Sequence, residues 1–396
     1  MNLSLCMIVK NEESSLPQAL NSAKDVVDEM VILDTGSTDK TVEIAKEYGA
    51  RVYQFEWCND FSAARNEALK YVQGKWVLVL DADEVLTDSI VPELKQVIQN
   101  DQYLLINLIR QEIGAAQSPY SQVSRLFRNH PEVSFSRPYH AMVDDSVAEL
   151  LEREPQWKVV SLPKVAILHY GYQQKAIASR DKYNRGMEAM EAFLADHPYD
   201  PYVCSKLGAL YIGLGQLGKG IELLERGLRS KSIETPVLFE LHYHLGNAYT
   251  RLKNPHSAAQ HYQVAIEQQI LPQLKIGAYN NLGNLHFSAG DLTQARTNYE
   301  TTVKIDPSFA AGYNNLGMTL KGMGLLEEAI RYYQQAIKFQ PDYADAHQNL
   351  GVALLKKGKV QQSLSAFGKA IAFHETHNPT EAQRLRQGLQ DMGFSV

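Results

Sequence analysis

The chain has 396 residues, 44% hydrophobic and 21% charged, which is too long for one ordinary domain and gives ample apolar material for its cores. Its net charge of −6 argues against a broad nucleic-acid-binding face. Its three cysteines (Cys6, Cys58, Cys204) are odd in number and widely spaced, which excludes a disulfide framework or a zinc spacing and points to a reducing compartment. No apolar run approaches the roughly 20 residues of a membrane span, and Met1–Leu5 lacks a basic region followed by a long apolar stretch, so a cytoplasmic protein is expected.

Residues 3–9 read as a strand, 16–23 as a helix and 30–33 as a second strand. A helix over 40–48, amphipathic through Val42, Ile44 and Ala45, leads to a strand at 51–55. A helix over 61–72 and a strand over 76–80 follow. Such alternation predicts a parallel sheet with helices on its faces, and sheets of this kind bind ligands beyond the carboxyl ends of their strands. Asp34 and Asp81 fall at two such ends. From about residue 100 the pattern turns strand-rich, at 103–109, 123–127, 133–135 and 165–168, which should complete the sheet and one wall of a site. Helix resumes only near Gln173, with no strand after it.

The second half is repetitive. Leu207-Gly208, Leu245-Gly246, Leu282-Gly283, Leu316-Gly317 and Leu350-Gly351 recur about every 34 to 38 residues, the period of stacked helix pairs. Ala329, Tyr333, Ala336 and Pro341 follow Gly317, and Ala295, Tyr299 and Pro307 follow Gly283 in the same register. Small residues let helices approach, aromatics fill the space between them, and proline stops the second helix. The expected organisation is an α/β domain over 1–172, a connecting helix over 173–200, five helix pairs over 201–378 and a polar-faced capping helix over 379–396 that covers the last apolar face.

Chemistry concentrates in the first half. Asp81-Ala82-Asp83 places two carboxylates at alternate positions past a buried strand, a hard-oxygen site for a divalent cation that can grip a diphosphate. Asp34 opens Asp34-Thr35-Gly36-Ser37-Thr38-Asp39, where glycine permits a tight turn and the hydroxyls and amides can cap the next helix. Asp34 could equally accept hydrogen bonds from a nucleotide base, with Asn11 and Glu12 beside it. Arg65, on the helix after the third strand, reads either as a contact to the nucleotide or its phosphates or as an ordinary ion pair.

Lys10-Asn11-Glu12, Asp34-Thr35-Gly36-Ser37-Thr38-Asp39, Ala64-Arg65-Asn66 and Asp81-Ala82-Asp83-Glu84 occur together in this order. The ensemble resembles the family 2 glycosyltransferases, which have a GT-A fold and invert the anomeric centre; the second half resembles the tetratricopeptide repeat. The resemblance implies a nucleotide-diphosphate sugar donor, a uridine diphosphate sugar being expected first, with Mn²⁺ or Mg²⁺. It implies Asp34 as base-binding aspartate, Asp39 and Arg65 as its helpers, and Asn11 and Glu12 at the nucleotide. Asp81 is expected near the ribose and the metal's water shell, and Asp83 as metal ligand. Arg125 and Arg128, in Arg125-Leu126-Phe127-Arg128-Asn129, resemble an arginine run of one subgroup and are expected at the donor. His169 resembles the family's late histidine near the metal. That subgroup tends to carry a His-Glu pair where this chain has His140-Ala141, so the base stays open among Asp144, Asp145, His140 and Glu84.

Asn281, Asn315 and Asn349 each stand two residues before a repeat glycine. An amide there could pair with the backbone of an extended peptide, or simply bond between neighbouring helices. The leading expectation is an inverting, metal-dependent glycosyltransferase whose repeats recruit a protein or peptide acceptor or mediate dimerisation. The alternatives are transfer to a lipid-linked or envelope glycan, and a non-catalytic scaffold with a degenerate nucleotide-sugar-binding domain.

Overall fold

The computed structural model describes residues 2–115, 118–171 and 176–394 and divides into two compact units, Met1–Ile233 and Glu234–Val396. The first unit is built on β1 (Leu3–Val9), β2 (Glu29–Asp34), β3 (Arg51–Gln54), β4 (Trp76–Val79), β5 (Glu84–Leu86), β6 (Tyr103–Glu112), β7 (Tyr120–Arg128) and β8 (Lys158–His169). These form one mixed sheet in the order β3-β2-β1-β4-β7-β6-β8-β5. β3, β2, β1 and β4 run parallel, whereas β7 is antiparallel to both β4 and β6. The parallel register sets Val9 beside Asp34, and Asp34 beside Gln54, so three strands end level with one another. The last strands are equally informative: Glu112 of β6 and Glu84 of β5 both pair with His169 of β8.

Successive residues of a strand point to opposite faces, and both faces of this sheet are covered. Leu5, Met7, Ile32, Leu78 and Leu126 pack on one face, beneath α1 (Leu16–Ala23). That helix buries Leu16, Ala19, Leu20 and Ala23, an i, i+3, i+4, i+7 stripe. Between β2 and β3 runs α2 (Thr41–Glu47). Cys6, Val31, Val77, Val79 and Phe127 pack on the other face, with Ala64 and Ala68 of α3 (Phe61–Leu69) and with Val147 and Leu150 farther along. Asp60 caps α3 by accepting from the Ser62 and Ala63 amides.

The structure departs from the expected pattern between β4 and β8. A short α4 (Val91–Val97) precedes β6, and residues 144–153 are helical: α5 (Asp144–Arg153) opens with two aspartates, favourable at a helix N-terminus, and buries Val147 and Leu150. Residues 133–135 form no strand; the Phe135 backbone is bonded on both sides by the Asn66 amide, and Ser136 and Met142 form an isolated bridge.

Beyond the sheet the described residues are helical. The first unit closes with α6 (Ala176–Asp196), α7 (Pro201–Gly213) and α8 (Leu217–Gly227). The second holds α9 (Thr235–Arg251), α10 (Pro255–Glu267), α11 (Ile276–Ser288), α12 (Leu292–Ile305), α13 (Ala310–Gly322), α14 (Leu326–Phe339), α15 (Ala344–Lys356), α16 (Val360–His377) and α17 (Pro379–Asp391). The expected boundary at 172–173 lies outside the described residues. A Cβ on Gly246, Gly283 or Gly317 would fall 2.5–2.6 Å from the ring of Tyr262, Tyr299 or Tyr333, so the repeat glycine exists to admit a buried tyrosine. Ala382, Leu385 and Leu389 of α17 cover Phe367, Ala370 and Ile371 of α16. All three cysteines are free; burial pushes the Cys6 thiol up to about 12 and Cys204 up to about 11. Among the described residues no helix is long and apolar enough to cross a membrane.

Candidate active site

The level ends of β1, β2 and β3 open onto a cleft of about 540 Å³ lined by Lys10, Thr35, Gly36, Gln54, Phe55, Glu56 and Trp57. Asp34, buried at the end of β2, accepts from the Gly36 and Ser37 amides at 3.1 Å. Asn11, in the left-handed region at φ 55°, accepts from the Thr38 amide at 2.8 Å and fixes the β2–α2 turn from the β1 side. Glu12 belongs to the same brace, its amide donating to Thr41 Oγ1 at 2.7 Å. Asp39, expected to help bind the nucleotide, accepts instead from the Thr41 amide and hydroxyl and from the Glu13 amide. Burial opposes ionisation there, but those bonds outweigh it and lower the Asp39 pKa.

Past β4 lies a buried chain of charges. Arg65 Nη2 donates to Asp81 Oδ1 and Arg125 Nη2 to Asp81 Oδ2, both at 2.6 Å. Burial alone would raise the Asp81 carboxyl; the Arg125 and Arg65 charges reverse that and hold it well below its ordinary value. Asp81, expected near the ribose and as a metal ligand, is therefore committed through both oxygens to two guanidinium groups. Arg125 Nη1 is buried and, among the described residues, has no hydrogen-bond partner. Glu84, fully buried, accepts from Arg110 Nη1 at 2.9 Å and from the Asp81 amide at 2.9 Å, an arrangement that removes it as a solvent-facing base.

Asp83 sits at the far end of this chain. Its Oδ2 is 3.3 Å from His169 Nε2, while His169 Nδ1 meets Glu112 Oε2 at 2.5 Å. Glu112 is held in turn by Arg110 and Ser121. Burial lowers the imidazole pKa, but the bonds to Asp83 and Glu112 prevail and push it up to about 9. Burial likewise works against the Glu112 carboxylate, and His169 and Arg110 bring it down to about 2. Gly171 borders the pair: a Cβ there would lie 2.6 Å from His169 Nε2 and 3.2 Å from Asp83 Oδ2. A carboxylate oxygen, an imidazole nitrogen backed by a second carboxylate, and a glycine that keeps the space beside both open fit a divalent cation. Among the described residues no group of three or more ligating side chains is assembled, so such a cation would need further oxygens from its substrate.

The remaining expected site residues separate. Arg128 turns away from Asp81: its guanidinium donates to the Tyr103 and Asn100 carbonyls at 2.8 Å and lies over the Trp76 and Trp157 rings, which corrects its expected place at the donor to a structural one. Asp144 accepts from Ser124 Oγ at 2.7 Å. Both oxygens of Asp145 pair with Arg137. His140 is exposed at the tip of the segment between Ser136 and Met142, at φ 53°. Gln54 and Trp57 of the cleft, and Glu112 and Arg110 around His169, were not singled out from the sequence.

In the second unit Asn281 Nδ2 donates to Asn247 Oδ1 (2.9 Å), Asn315 Nδ2 to Asn280 Oδ1 (2.9 Å) and Asn349 Nδ2 to Asn314 Oδ1 (3.0 Å). These amides join successive repeats.

Residues 4–160 match the family model for glycosyl transferase family 2, and residues 205–273, 283–324 and 323–358 match models of tetratricopeptide repeats. A TPR repeat-containing protein of Synechococcus elongatus is 43% identical over 290 residues, 73% of this chain and 72% of the relative. The chain belongs to glycosyltransferase family 2. Its GT-A sheet domain is followed by tetratricopeptide repeats. Glycosyltransferase SunS, derived from the SPbeta prophage of Bacillus subtilis, is 28% identical to this glycosyltransferase over 199 residues, 49% of this chain and 46% of SunS. Among solved structures, MamA aligns with a TM-score of 0.37 at 22% identity, over 43% of this chain and 95% of MamA.

Proposed function

We propose that this glycosyltransferase moves a sugar, with inversion, from a nucleoside diphosphate donor to a protein or peptide acceptor presented through its repeats, and that Asp83 and His169 hold a divalent cation at the donor diphosphate. The observation that carries this reading is the juxtaposition of Asp83, His169 and Glu112, beside an open Gly171, with the Arg65–Asp81–Arg125 chain. Mn²⁺ or Mg²⁺ bound there would act as a Lewis acid on the leaving diphosphate. The chain's own residues supply the rest. The cleft lined by Phe55 and Trp57 would take the base, with a uridine ring as its first candidate, and Asp34 fixes the turn that borders it. Arg125 Nη1, buried and without a hydrogen-bond partner among the described residues, would donate to a phosphate oxygen.

As the acceptor oxygen bonds to the anomeric carbon, the bond from that carbon to the diphosphate breaks and its electron pair leaves with the nucleoside diphosphate. The acceptor proton passes to a base on the opposite side of the sugar. With Asp145 paired to Arg137 and Asp144 accepting from Ser124, exposed His140 is the candidate we carry forward. Support for a peptide acceptor is a second cleft of about 180 Å³, lined by Asn284, Phe287, Ser288, Tyr299, Asn315 and Met318, which mixes amides with apolar surface as peptide recognition requires. A panel of nucleotide sugars incubated with the full chain and Mn²⁺, read by release of free nucleoside diphosphate, tests the proposal. Slow hydrolysis of at least one donor is expected. Tight nucleotide binding with no turnover of any donor would favour the scaffold reading, to which Ala141 points.

A further inference from the structure

The segment Ser136–Met142 carries two residues in the left-handed region, Arg137 at φ 71° and His140 at φ 53°. Such backbone is unfavourable for residues with a Cβ and persists only where its surroundings hold it. On the sheet side the holding groups are plain. Asn66 bonds both the carbonyl and the amide of Phe135, at 2.9 and 2.7 Å, and the Phe135 ring lies under the Arg65 guanidinium, which is itself bonded to Asp81. The Phe61 amide donates to the Pro138 carbonyl at 2.9 Å. The base of the segment is thus tied to the charge chain of the donor site.

Its tip is held from elsewhere. Arg137, with only 8% of its side chain exposed, donates through Nη1 to Asp145 and through Nη2 to Asp200 Oδ2 at 2.9 Å. Asp200 caps α7, its Oδ1 accepting from the Val203 amide at 2.8 Å. Tyr202, in the first turn of α7, sets its ring against the Arg137 guanidinium at 5.2 Å and donates from its hydroxyl to the His140 carbonyl at 3.4 Å. Gly186 of α6 lies so close to Tyr139 that a Cβ would come within 2.6 Å of the ring. Division of the chain into compact units agrees, since α6 to α8 fall with the sheet and not with the later repeats.

We infer that α6 and the start of α7 build the acceptor side of the catalytic site, with Arg137 as the positioning residue that fixes His140. The inference rests on the glycosyltransferase reading of the sheet domain. None of Gly186, Asp200 or Tyr202 belongs to the donor site as described, so the inference makes turnover depend on residues that donor binding does not need. Misplacing a reacting group by about 1 Å can cost on the order of a hundredfold in rate.

The test uses the full chain and Mn²⁺-dependent donor hydrolysis, in which water takes the acceptor's place. Asp200→Asn keeps an N-cap on α7 but removes the charge facing Arg137, and Tyr202→Phe removes the hydroxyl that donates to the His140 carbonyl. The double variant should lose at least tenfold in kcat, with KM for the donor and Kd for UDP and Mn²⁺ within twofold of wild type. Asp200→Glu, which restores the charge, should recover most of the loss. If the double variant fails to fold by circular dichroism, Tyr202→Phe alone decides, since its ring stays on Arg137. An unchanged kcat, or a kcat that falls only in proportion to donor affinity, overturns the inference. A wild-type chain that hydrolyses no donor refutes the parent reading instead.

Discussion

Gly171→Ala probes the proposed cation site without removing any ligand. The new Cβ would stand 2.6 Å from His169 Nε2 and 3.2 Å from Asp83 Oδ2. Non-bonded carbon contacts settle near about 3.5 Å, so the imidazole must retreat by about 0.9 Å. It has little freedom to do so, because Nδ1 is bonded to Glu112 at 2.5 Å and Glu112 is held by Arg110 and Ser121. Disturbing the support of a metal-binding histidine typically costs about 10- to 100-fold in affinity, or about 1.4 to 2.7 kcal/mol. Calorimetric titration of Mn²⁺ into the chain with UDP present should show a loss of that size. Gly218→Ala, where a Cβ meets nothing within 4 Å, serves as the control and should leave affinity unchanged. A Gly171→Ala chain that binds Mn²⁺ within twofold of wild type would refute the placement of the cation between Asp83 and His169.

Two further outcomes concern the repeats. Tyr262 and Tyr299 donate to Asn247 and Asn284 at 2.7 and 2.6 Å, but Met318 stands at the matching place beside Tyr333, whose buried hydroxyl has no partner among the described residues. Tyr333→Phe should therefore stabilise the chain by about 1 kcal/mol and Tyr299→Phe destabilise it by a similar amount. With an m-value of about 2 kcal/mol per M, the urea midpoints should move by about 0.5 M in opposite directions; shifts of the same sign would contradict the assignment. The second outcome is a pH dependence. His242 faces His261 across 3.0 Å, and burial followed by the His261 charge pushes its pKa down to about 4. The unfolded chain then takes up the proton first, so the contribution of this pair is complete above about pH 6.5 and is lost as pH falls toward 4. His242→Gln should flatten the acid limb of the urea midpoint, and superimposable wild-type and variant profiles would refute this.

The sheet was legible where its signals are local. Apolar runs such as Trp76–Leu80 announce themselves, and Asp34 and Asp81 follow such runs directly. The repeats were legible because one packing rule, glycine under tyrosine, recurs along the chain. What the sequence hid depends on register and distance. Arg125 reaches Asp81 across 44 residues, and Glu112 meets His169 only because β6 and β8 pair in parallel. The resemblance set Asp81 near the ribose and the metal's water shell and Asp83 as metal ligand; in the fold Asp81 anchors two arginines and Asp83 faces His169. Arg128, three residues from Arg125, takes a different role because its guanidinium lies over the Trp76 and Trp157 rings. Helix α5 was missed although Val147 and Leu150 follow an acidic first turn, since the short apolar runs around it resemble strands. The asparagines show the limit of periodicity, which marks a recurring position and leaves open whether it faces a ligand or the next repeat.

The central claim is that a divalent cation on Asp83 grips the donor's diphosphate. Calorimetric titration of UDP into the wild-type chain and into Asp83→Asn, each with and without Mn²⁺, tests it most directly. Binding that requires Mn²⁺ in the wild type and weakens by at least tenfold in Asp83→Asn is the predicted result. UDP affinity that is independent of Mn²⁺, or equal in the two chains, would contradict it.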